Sequence, residues 1–442
     1  MLATTRLIPT LGALLAARSP RGGFMHIARL AFAALATLAS VASAQEETVA
    51  LRCGRLIDGR STTPLANATV VVQGGRVVAA GANPSVPNGA REVDLRTMTC
   101  LPGLIDLHTH LSNLDAETFS SADKAIEILK SAGIMLRSGF TTVRDVGIED
   151  RYYSSVSVRN AIARGDFQGS RMFVAPHAIS ATGGHGDINT LAPDLDLQAA
   201  TVVVDGADNL RKAIREEFKY GADWIKLTLT GGVMSAGDNP KVTTFTDEEL
   251  AAAVDETHRH FKKITVHAIG TEGIKQAIRA GVDCIEHGIL IDDEGIALIK
   301  AKGTWLVPTI YVLNYVIDEG PKVGYAQESI RKGQALRADR DVRIRAAIAA
   351  GVKIAFGSDN IFPPKDSAKE FAELVRLGLS PMRAIQAATA RAAEVLGMER
   401  DLGTVEAGKI ADIIAVATNP LDDIRVLEDV KFVMKDGHVI TK

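Results

Sequence analysis

The chain has 442 residues, of which 46% are hydrophobic and 23% charged, with a formal net charge of −3. These values are those of an ordinary globular protein, and the lack of a basic surplus argues against a protein that binds nucleic acid. The length is sufficient for a large hydrophobic core and more than one small domain.

The first 44 residues have the pattern of a secretory signal peptide. Arginines precede an apolar run at residues 30–38, and an Ala-Ser-Ala sequence at 42–44 matches a cleavage site. The run is too short to span a bilayer comfortably, and Met25 is an alternative start. We expect the mature chain to begin near Gln45, to be periplasmic or secreted, and to have no membrane span after cleavage. The alternative is a disordered or wrongly assigned extension.

Both ends of the mature chain contain short strand-like runs. The Gly74-Gly75 pair between two such runs is typical of a β-hairpin. We therefore predict a small composite β-sandwich domain built from residues 45–102 and 403–442. Cys53 and Cys100 fall in its first part and could form a disulfide, a question that the sequence leaves open.

The middle of the chain, residues 103–402, alternates strand-like and helix-like segments. About eight such units predict an α/β fold of the (β/α)₈ TIM-barrel type. Cys284 lies within one of the predicted strands and is interpreted as core packing. The predicted strands end at His110, Asp145, Ala178, Thr230, His267, His287, Tyr311 and Asp359.

His108 and His110 end an apolar run at residues 101–110. Side chains two apart on a strand share a face, so both imidazoles can bind one metal ion. A second His-x-His, His258 and His260, continues a segment with the acidic start of a helix. On a helix, positions two apart diverge by about 200° and do not easily share an ion. The context therefore predicts a metal site at the first pair and not at the second.

Chemically active residues end several other predicted strands. The carboxyl ends of barrel strands meet on one rim, where His267, His287 and Asp359 would join the first histidine pair. In residues 224–230, apolar side chains alternate with the others, which places Lys226 in the barrel interior. An unpaired ammonium is costly there. Lys226 is therefore either paired with a carboxylate such as Asp359 or chemically modified.

These residues, in this order and on these strands, resemble the metal site of the amidohydrolase superfamily. Residues 101–110, 141–147 and 223–226 are similar to its imidazolonepropionase-related branch, which includes Xaa-Pro dipeptidases, other metallo-carboxypeptidases and ochratoxin-hydrolysing amidohydrolases. The resemblance covers nearly all of the mature chain. Imidazolonepropionases are mononuclear and lack the lysine, so Lys226 argues against that activity. The matching residues are His108, His110, Lys226, His267, His287 and Asp359.

The resemblance implies a binuclear zinc hydrolase. The strand-one histidines and Asp359 would hold the more buried metal, and His267 and His287 the more exposed one. N-carboxylated Lys226 would bridge two Zn²⁺ or similar divalent ions. Asp359 would also accept the proton of a water molecule shared by both metals and pass it to the leaving nitrogen. A homo-oligomer is implied too, because relatives assemble into large rings or octamers.

Four further residues are candidates for substrate contact. His177 and His185 follow strand three, where a Gly-rich loop suits close approach of backbone to substrate. His185 is either a substrate or oxyanion contact or a surface histidine, and Tyr311 either donates to a carbonyl oxygen or packs. Ser112 is a candidate for the wall of the site. No basic residue stands out as a clamp for a substrate carboxylate.

The leading hypothesis is a carboxypeptidase-like or dipeptidase-like enzyme that cleaves a small-molecule amide or dipeptide at the bond to a C-terminal amino acid. N-acyl amino acids such as ochratoxin-type amides are included. The alternative is a cyclic-amide or lactone hydrolase on the same metal core, since the ligands do not encode the acyl group. A non-catalytic exported metal-binding protein explains the histidines but neither Asp359 nor Lys226.

Overall fold

The computed structural model describes residues 47–114, 118–147, 150, 152–187, 189–190, 192, 194 and 201–440. The predicted signal peptide, residues 1–44 with the alternative start at Met25, lies outside the described residues. The described strands are β1 (Thr48–Leu56), β2 (Leu65–Gln73), β3 (Arg76–Gly81), β4 (Arg91–Pro102), β5 (Leu104–Thr109), β6 (Phe140–Asp145), β7 (Arg171–Val174), β8 (Ala178–Ser180), β9 (Val202–Val203), β10 (Trp224–Thr228), β11 (Lys263–Ala268), β12 (Cys284–His287), β13 (Trp305–Val307), β14 (Ile413–Val416), β15 (Val430–Lys435) and β16 (His438–Ile440).

Helices lie between most of the strands in the middle of the chain, as the alternating pattern predicts. Within the described residues, no helix combines the length and the apolar character needed to cross a bilayer. The α-helices are α1 (Ser121–Arg137), α2 (Ser154–Ala163), α3 (Ala207–Lys219), α4 (Asp247–Arg259), α5 (Thr271–Ala280), α6 (Asp293–Lys302), α7 (Ile310–Asp318), α8 (Gly320–Val323), α9 (Gln327–Ala349), α10 (Lys369–Arg376), α11 (Pro381–Ala387) and α12 (Ala390–Leu396), with 3₁₀ turns at Pro364–Asp366 and Ile424–Glu428.

Strands from both ends of the chain form one seven-stranded sheet in the order β16-β15-β14-β4-β1-β2-β3. The two ends meet where β4 pairs antiparallel with β14, with Cys100 opposite Ala415. Gly74 and Gly75 both have positive φ at the turn between β2 and β3, which is why glycine suits this hairpin. Apolar side chains from both ends form a core of their own. The two ends of the chain, predicted to form a composite β-sandwich domain, therefore come together in one seven-stranded sheet.

The middle of the chain closes into a parallel barrel. Strands β5, β6 and β7 pair in that order, and β8, β10, β11, β12 and β13 form a second run. The runs meet where Asp223 N donates to Val174 O at 2.8 Å. At the other junction, residues 353–359 lie between β13 and β5. The closing hydrogen bonds are Ala355 N to Leu306 O, Leu107 N to Phe356 O, and Asp359 N to His108 O.

Barrel strands three and eight are less regular than the others. Strand three consists of β7 and β8 on either side of residues 175–177. Strand eight is the extended segment at residues 353–359, which makes a bridge from Ile354 to Leu306. The backbone alternation is nevertheless maintained on strand four, because Ile225 and Leu227 pack outward while Trp224 packs inside the barrel. The (β/α)₈ prediction is confirmed with these two local departures.

Strand seven ends earlier than the sequence predicts. The sequence predicts a strand that continues to Tyr311, but β13 stops at Val307 and α7 begins at Ile310. The physical reason is the buried carboxylate of Glu370, which accepts from Ile310 N at 2.9 Å and from Tyr311 N at 2.6 Å. These are donors in the first turn of α7, which have no partner within the helix. Tyr311 is therefore a helical residue.

Cys53 and Cys100 form a disulfide within the seven-stranded sheet. Cys53 lies on β1 and Cys100 on the neighbouring β4, and both side chains are buried in the core of that sheet. The bond closes a loop with a sequence separation of 47 residues. Cys284 is a buried free thiol in the barrel interior, in agreement with its predicted packing role.

We expect the Cys53→Ser/Cys100→Ser variant to lose about 2–4 kcal/mol of unfolding free energy, because the cross-link restricts the unfolded chain. Denaturant unfolding with and without a reductant measures this loss. The reductant should lower the stability of the wild type but not that of the double variant, and a Cys284→Ala control should keep the response to reductant. Unchanged stability of the wild type on full reduction would contradict the prediction.

Candidate metal centre

A cavity of about 470 Å³ opens at the carboxyl ends of the barrel strands. Its floor is polar, and its upper wall is formed mainly by apolar side chains from the rim loops and α7. Because parallel strands end on one rim, residues far apart in sequence meet here. The sequence-predicted residues that line the cavity are His108, His110, Ser112, His185, Lys226, His267, His287 and Asp359.

His108, His110 and Asp359 converge on one point of the cavity floor. Asp359 Oδ1 lies 3.4 Å from His108 Nε2 and 3.2 Å from His110 Nε2. A tetrahedral zinc ion with bonds of about 2.1 Å separates its ligand atoms by about 3.4 Å. One ligand atom from each of the three side chains lies within 4.8 Å of the others. The three residues therefore have the donors and the spacing for a divalent metal ion.

The four histidines share a further property that suits metal binding. Each has one ring nitrogen in contact with an oxygen atom, which leaves the other nitrogen available as a ligand. Burial lowers the pKa of both His267 and His287 well below the ordinary value, so both rings are neutral at neutral pH. The contacts are His108 Nδ1 with Glu286 Oε2 at 2.7 Å, His110 Nδ1 with Gly147 O at 2.6 Å, His267 Nε2 with Gly231 O at 3.2 Å, and His287 Nδ1 with Thr309 Oγ1 at 2.6 Å.

Lys226 lies inside the barrel and is 3% exposed. Among the described residues, no carboxylate oxygen comes within 4 Å of its amine, so the predicted alternative of an ion pair with Asp359 is not found. Burial lowers the pKa of Lys226, against the opposing effect of Glu286 and Asp359. The site thus favours the neutral form of this amine more than water does.

Three strand ends at the cavity have a left-handed backbone on residues other than glycine. The φ angles are 70° at His287, 44° at Thr309 and 54° at Asp359. Such conformations cost about 1–3 kcal/mol each and persist where the surrounding structure enforces them, often at functional sites. Here the turn after each strand directs the side chain into the cavity.

His185 is held in the cavity wall by a chain of polar contacts. Its Nδ1 lies 2.6 Å from Ser235 Oγ, which in turn donates to Asp238 at 2.5 Å. Lys332 on α9 contacts the same aspartate at 2.7 Å.

The ring of His185 lies against Gly232, where a Cβ atom would come within 2.3 Å of the imidazole. The His185 ring also packs near His267, with ring centroids 4.5 Å apart. Burial lowers the pKa of His185 to about 4, so the ring is neutral at neutral pH.

The structure does not bring His177 or Tyr311 to this cavity. His177 is buried beside it, with Nδ1 2.8 Å from Glu217 and Nε2 3.1 Å from the carbonyl oxygen of Tyr152. Tyr311 packs edge-on against Phe362 with ring centroids 5.0 Å apart. The early end of strand seven moves the Tyr311 side chain away from the cavity.

Sequence reasoning missed two groups of residues around the site. The first is the set of apolar residues that form the cavity wall. The sequence pattern of the rim loops and α7 does not distinguish apolar residues that line the cavity from those that pack in the core. The second is the buried pair of Arg144 and Glu286 beneath the histidines, which the alternation argument used for Lys226 would have placed in the barrel interior. The apolar wall comprises Leu114, Val146, Val233, Met234, Ile269, Ile289, Val312, Leu313, Val316 and Ile361.

Comparisons with known proteins agree with this geometry. The amidohydrolase family model matches residues 99–440. Ochratoxinase from Aspergillus niger is 31% identical over 420 residues, covering 89% of this chain and 86% of that protein. Imidazolonepropionase from Caldanaerobacter subterraneus subsp. tengcongensis is 24% identical over 412 residues, covering 84% and 88%.

A solved structure supports the same assignment. A Xaa-Pro dipeptidase with methionine bound in its active site has a TM-score of 0.83 with this chain. The two are 37% identical, and the match covers 90% of this chain and 100% of that chain. The family match over most of the chain, together with these relatives, shows that the protein belongs to the amidohydrolase family and is a hydrolase that acts on amide bonds.

Proposed function

We propose that the protein is a binuclear zinc amidohydrolase that cleaves the amide bond to a C-terminal amino acid. The observation that carries the proposal is the convergence of His108, His110 and Asp359, with His267, His287 and Lys226 on the same cavity floor. The free nitrogens of the four histidines are the ligands that zinc prefers. The first three residues would hold the more buried ion, and the other two histidines the more exposed one.

Lys226 is the proposed bridging ligand, in the form of an N-carboxylate. Its amine is buried, lacks an ion-pair partner among the described residues, and has a lowered pKa. An uncharged amine is the form that reacts with CO₂, and the resulting anion between two cations is electrostatically satisfied. The cost of burying a lysine ammonium is thereby removed.

Two divalent ions held by these residues would supply Lewis acidity, both to acidify a water molecule and to polarise the scissile carbonyl. Asp359 then serves as the proton carrier, because its carboxylate lies between the histidines and the open cavity. It accepts the proton of the attacking water and delivers that proton to the leaving nitrogen. Protonation of the nitrogen is required because an amide anion is a poor leaving group.

The proposed substrates are dipeptides and N-acyl amino acids with apolar groups. A cavity of about 470 Å³ is in the usual range for a small-molecule site. Side chains such as Met234, Val312 and Leu313 provide an apolar surface opposite the metal ligands. The similarity to an ochratoxinase and to a Xaa-Pro dipeptidase supports this substrate class.

Metal analysis combined with a substrate panel tests the proposal. We expect about two divalent ions per chain and hydrolysis of N-acyl amino acids or dipeptides. Active protein with one ion would contradict the binuclear site. Activity confined to cyclic amides or lactones would instead support the alternative hydrolase on the same metal core. Metal binding without any hydrolysis would support an exported metal-binding protein.

We further propose that the mature enzyme is exported, begins near Gln45 and assembles as a homo-oligomer. The Cys53–Cys100 disulfide supports export, because structural disulfides persist mainly in oxidising compartments. N-terminal sequencing of the exported protein should give a start near Gln45. A mature chain that retains residues before Met25 would contradict signal-peptide cleavage, and light scattering of the same sample determines the assembly.

A further inference from the structure

A buried carboxylate lies directly behind one of the proposed metal ligands. Glu286 Oε2 is 2.7 Å from His108 Nδ1, and the side chains are 0% and 1% exposed. His108 Nε2, on the other side of the ring, faces Asp359 at 3.4 Å. The imidazole therefore lies between a carboxylate that contacts one nitrogen and the metal centre that requires the other.

The ionised form and the orientation of Glu286 are fixed by its other neighbours. Its Oε1 accepts from Arg144 at 2.5 Å and from the hydroxyl of Thr265. Arg144 is itself held, because its Nε donates to Leu107 O at 2.6 Å and its guanidinium stacks 4.5 Å above the ring of Trp224. Glu286 and Arg144 thus form a fully buried ion pair, which keeps the carboxylate in its ionised form.

We propose that Glu286 is a positioning residue that keeps the proton of His108 on Nδ1. An ionised carboxylate only accepts hydrogen bonds, so the His108 nitrogen that faces it must carry the proton. The lone pair of Nε2 is then directed at the metal centre. Arg144 and Thr265 support this arrangement by occupying the second oxygen of Glu286. The inference rests on the proposed metal site and concerns how one of its ligands is prepared.

The isosteric variant Glu286→Gln separates this role from simple packing. Arg144 and Thr265 donate to one end of the side chain, so the amide oxygen of the glutamine must face them. The amide NH₂ group then faces His108 Nδ1 and donates to it. The ring proton moves to Nε2, where it blocks ligation. We expect metal affinity to fall by about 10- to 100-fold.

A second substitution should restore part of the lost affinity. In Glu286→Gln/Arg144→Met the guanidinium is gone, so the glutamine can turn its amide oxygen toward His108 Nδ1. The NH₂ group then meets the hydroxyl of Thr265, which can accept a hydrogen bond. We expect the double variant to bind metal at least several-fold more tightly than Glu286→Gln alone. If the two substitutions were independent packing defects, their losses of metal affinity would instead add, and the double variant would bind metal more weakly.

The chain offers a matched control in His177 and Glu217. This pair is also buried, with His177 Nδ1 2.8 Å from Glu217 Oε1, but the structure places it outside the cavity. The same Glu→Gln change at residue 217 should leave metal affinity within about 2-fold of the wild type. An equal loss of affinity in Glu217→Gln and Glu286→Gln would overturn the proposal, because the effect would then not depend on contact with a ligand.

The measurements are zinc affinity by competition with a chelator and the ring-nitrogen shifts of ¹⁵N-histidine in metal-free protein. The nitrogen spectrum should show His108 protonated at Nδ1 in the wild type and at Nε2 in Glu286→Gln. The wild-type spectrum is decisive even if the variants do not fold, since an Nδ1 without a proton there would overturn the inference. Failure of the wild type to bind zinc would instead refute the proposed function.

Discussion

Replacing His108 and His110 together with alanine is expected to abolish both metal binding and amide hydrolysis. These residues provide two of the three converging ligand atoms, and their Nε2 atoms lie 3.4 and 3.2 Å from the third, Asp359 Oδ1. Metal-ion catalysis contributes several kcal/mol of transition-state stabilisation, so kcat/KM should fall by at least about 10³-fold. Metal content and kcat/KM of the purified variant, with its far-UV spectrum, measure the effect.

The second His-x-His sequence provides the control. His258 and His260 lie at the end of α4 and are exposed, and they contact Asp283 at 3.0 Å and Glu256 at 3.3 Å, respectively. His258→Ala/His260→Ala should keep full metal content and activity within a few-fold of the wild type. Equal effects of the two double variants would contradict the assignment of the metal centre to the first pair.

Lys226→Ala is expected to remove most of the activity while the fold remains intact. The substitution deletes the proposed bridge, and a small residue is sterically acceptable inside the barrel. A short carboxylic acid such as acetate or propionate should restore part of the activity, because it can occupy the vacated space and take the bridging role proposed for the carbamate. The measurement is kcat against the concentration of added acid, with metal content determined in parallel.

Two further substitutions at Lys226 show whether the rescue depends on space and on charge. Lys226→Met fills the same volume without a nitrogen, so added acid should have no effect. Lys226→Arg stays cationic and cannot form a carbamate, so it should also stay inactive. Equal rescue of the alanine and methionine variants would argue against a bridging carboxylate. A high-resolution map with an unmodified Lys226 amine bonded to Asp359, and no metal between them, would contradict the binuclear mechanism.

The floor of the cavity was predictable because it depends on strand periodicity. The alternation of side chains places Lys226 inside the barrel, and the strand context of His108 and His110 distinguishes them from the helical second pair. The family model and the structural neighbours confirm the barrel. The roles of the individual site residues stay predictions.

The remaining features depend on tertiary contacts that a single sequence does not display. The carboxylate of Glu370 starts α7 and so ends strand seven before Tyr311, although residues 60 positions apart make this contact. The partner of His177 is a glutamate on α3, which fixes the ring beside the cavity and not in it. The position of Arg144 beneath the site could have been predicted from its place on β6, but its pairing with Glu286 could not.

The pairing of β4 with β14 also constrains the timing of folding during synthesis. Residues 103–412, a stretch of 310 residues, separate these two neighbours in the sheet. At a synthesis rate of about 5–20 residues per second, one edge of β4 stays without its partner for roughly 15–60 seconds. An unpaired strand edge is a template for association with another chain. Protection of the β4 edge during this interval therefore bears on the yield of folded protein.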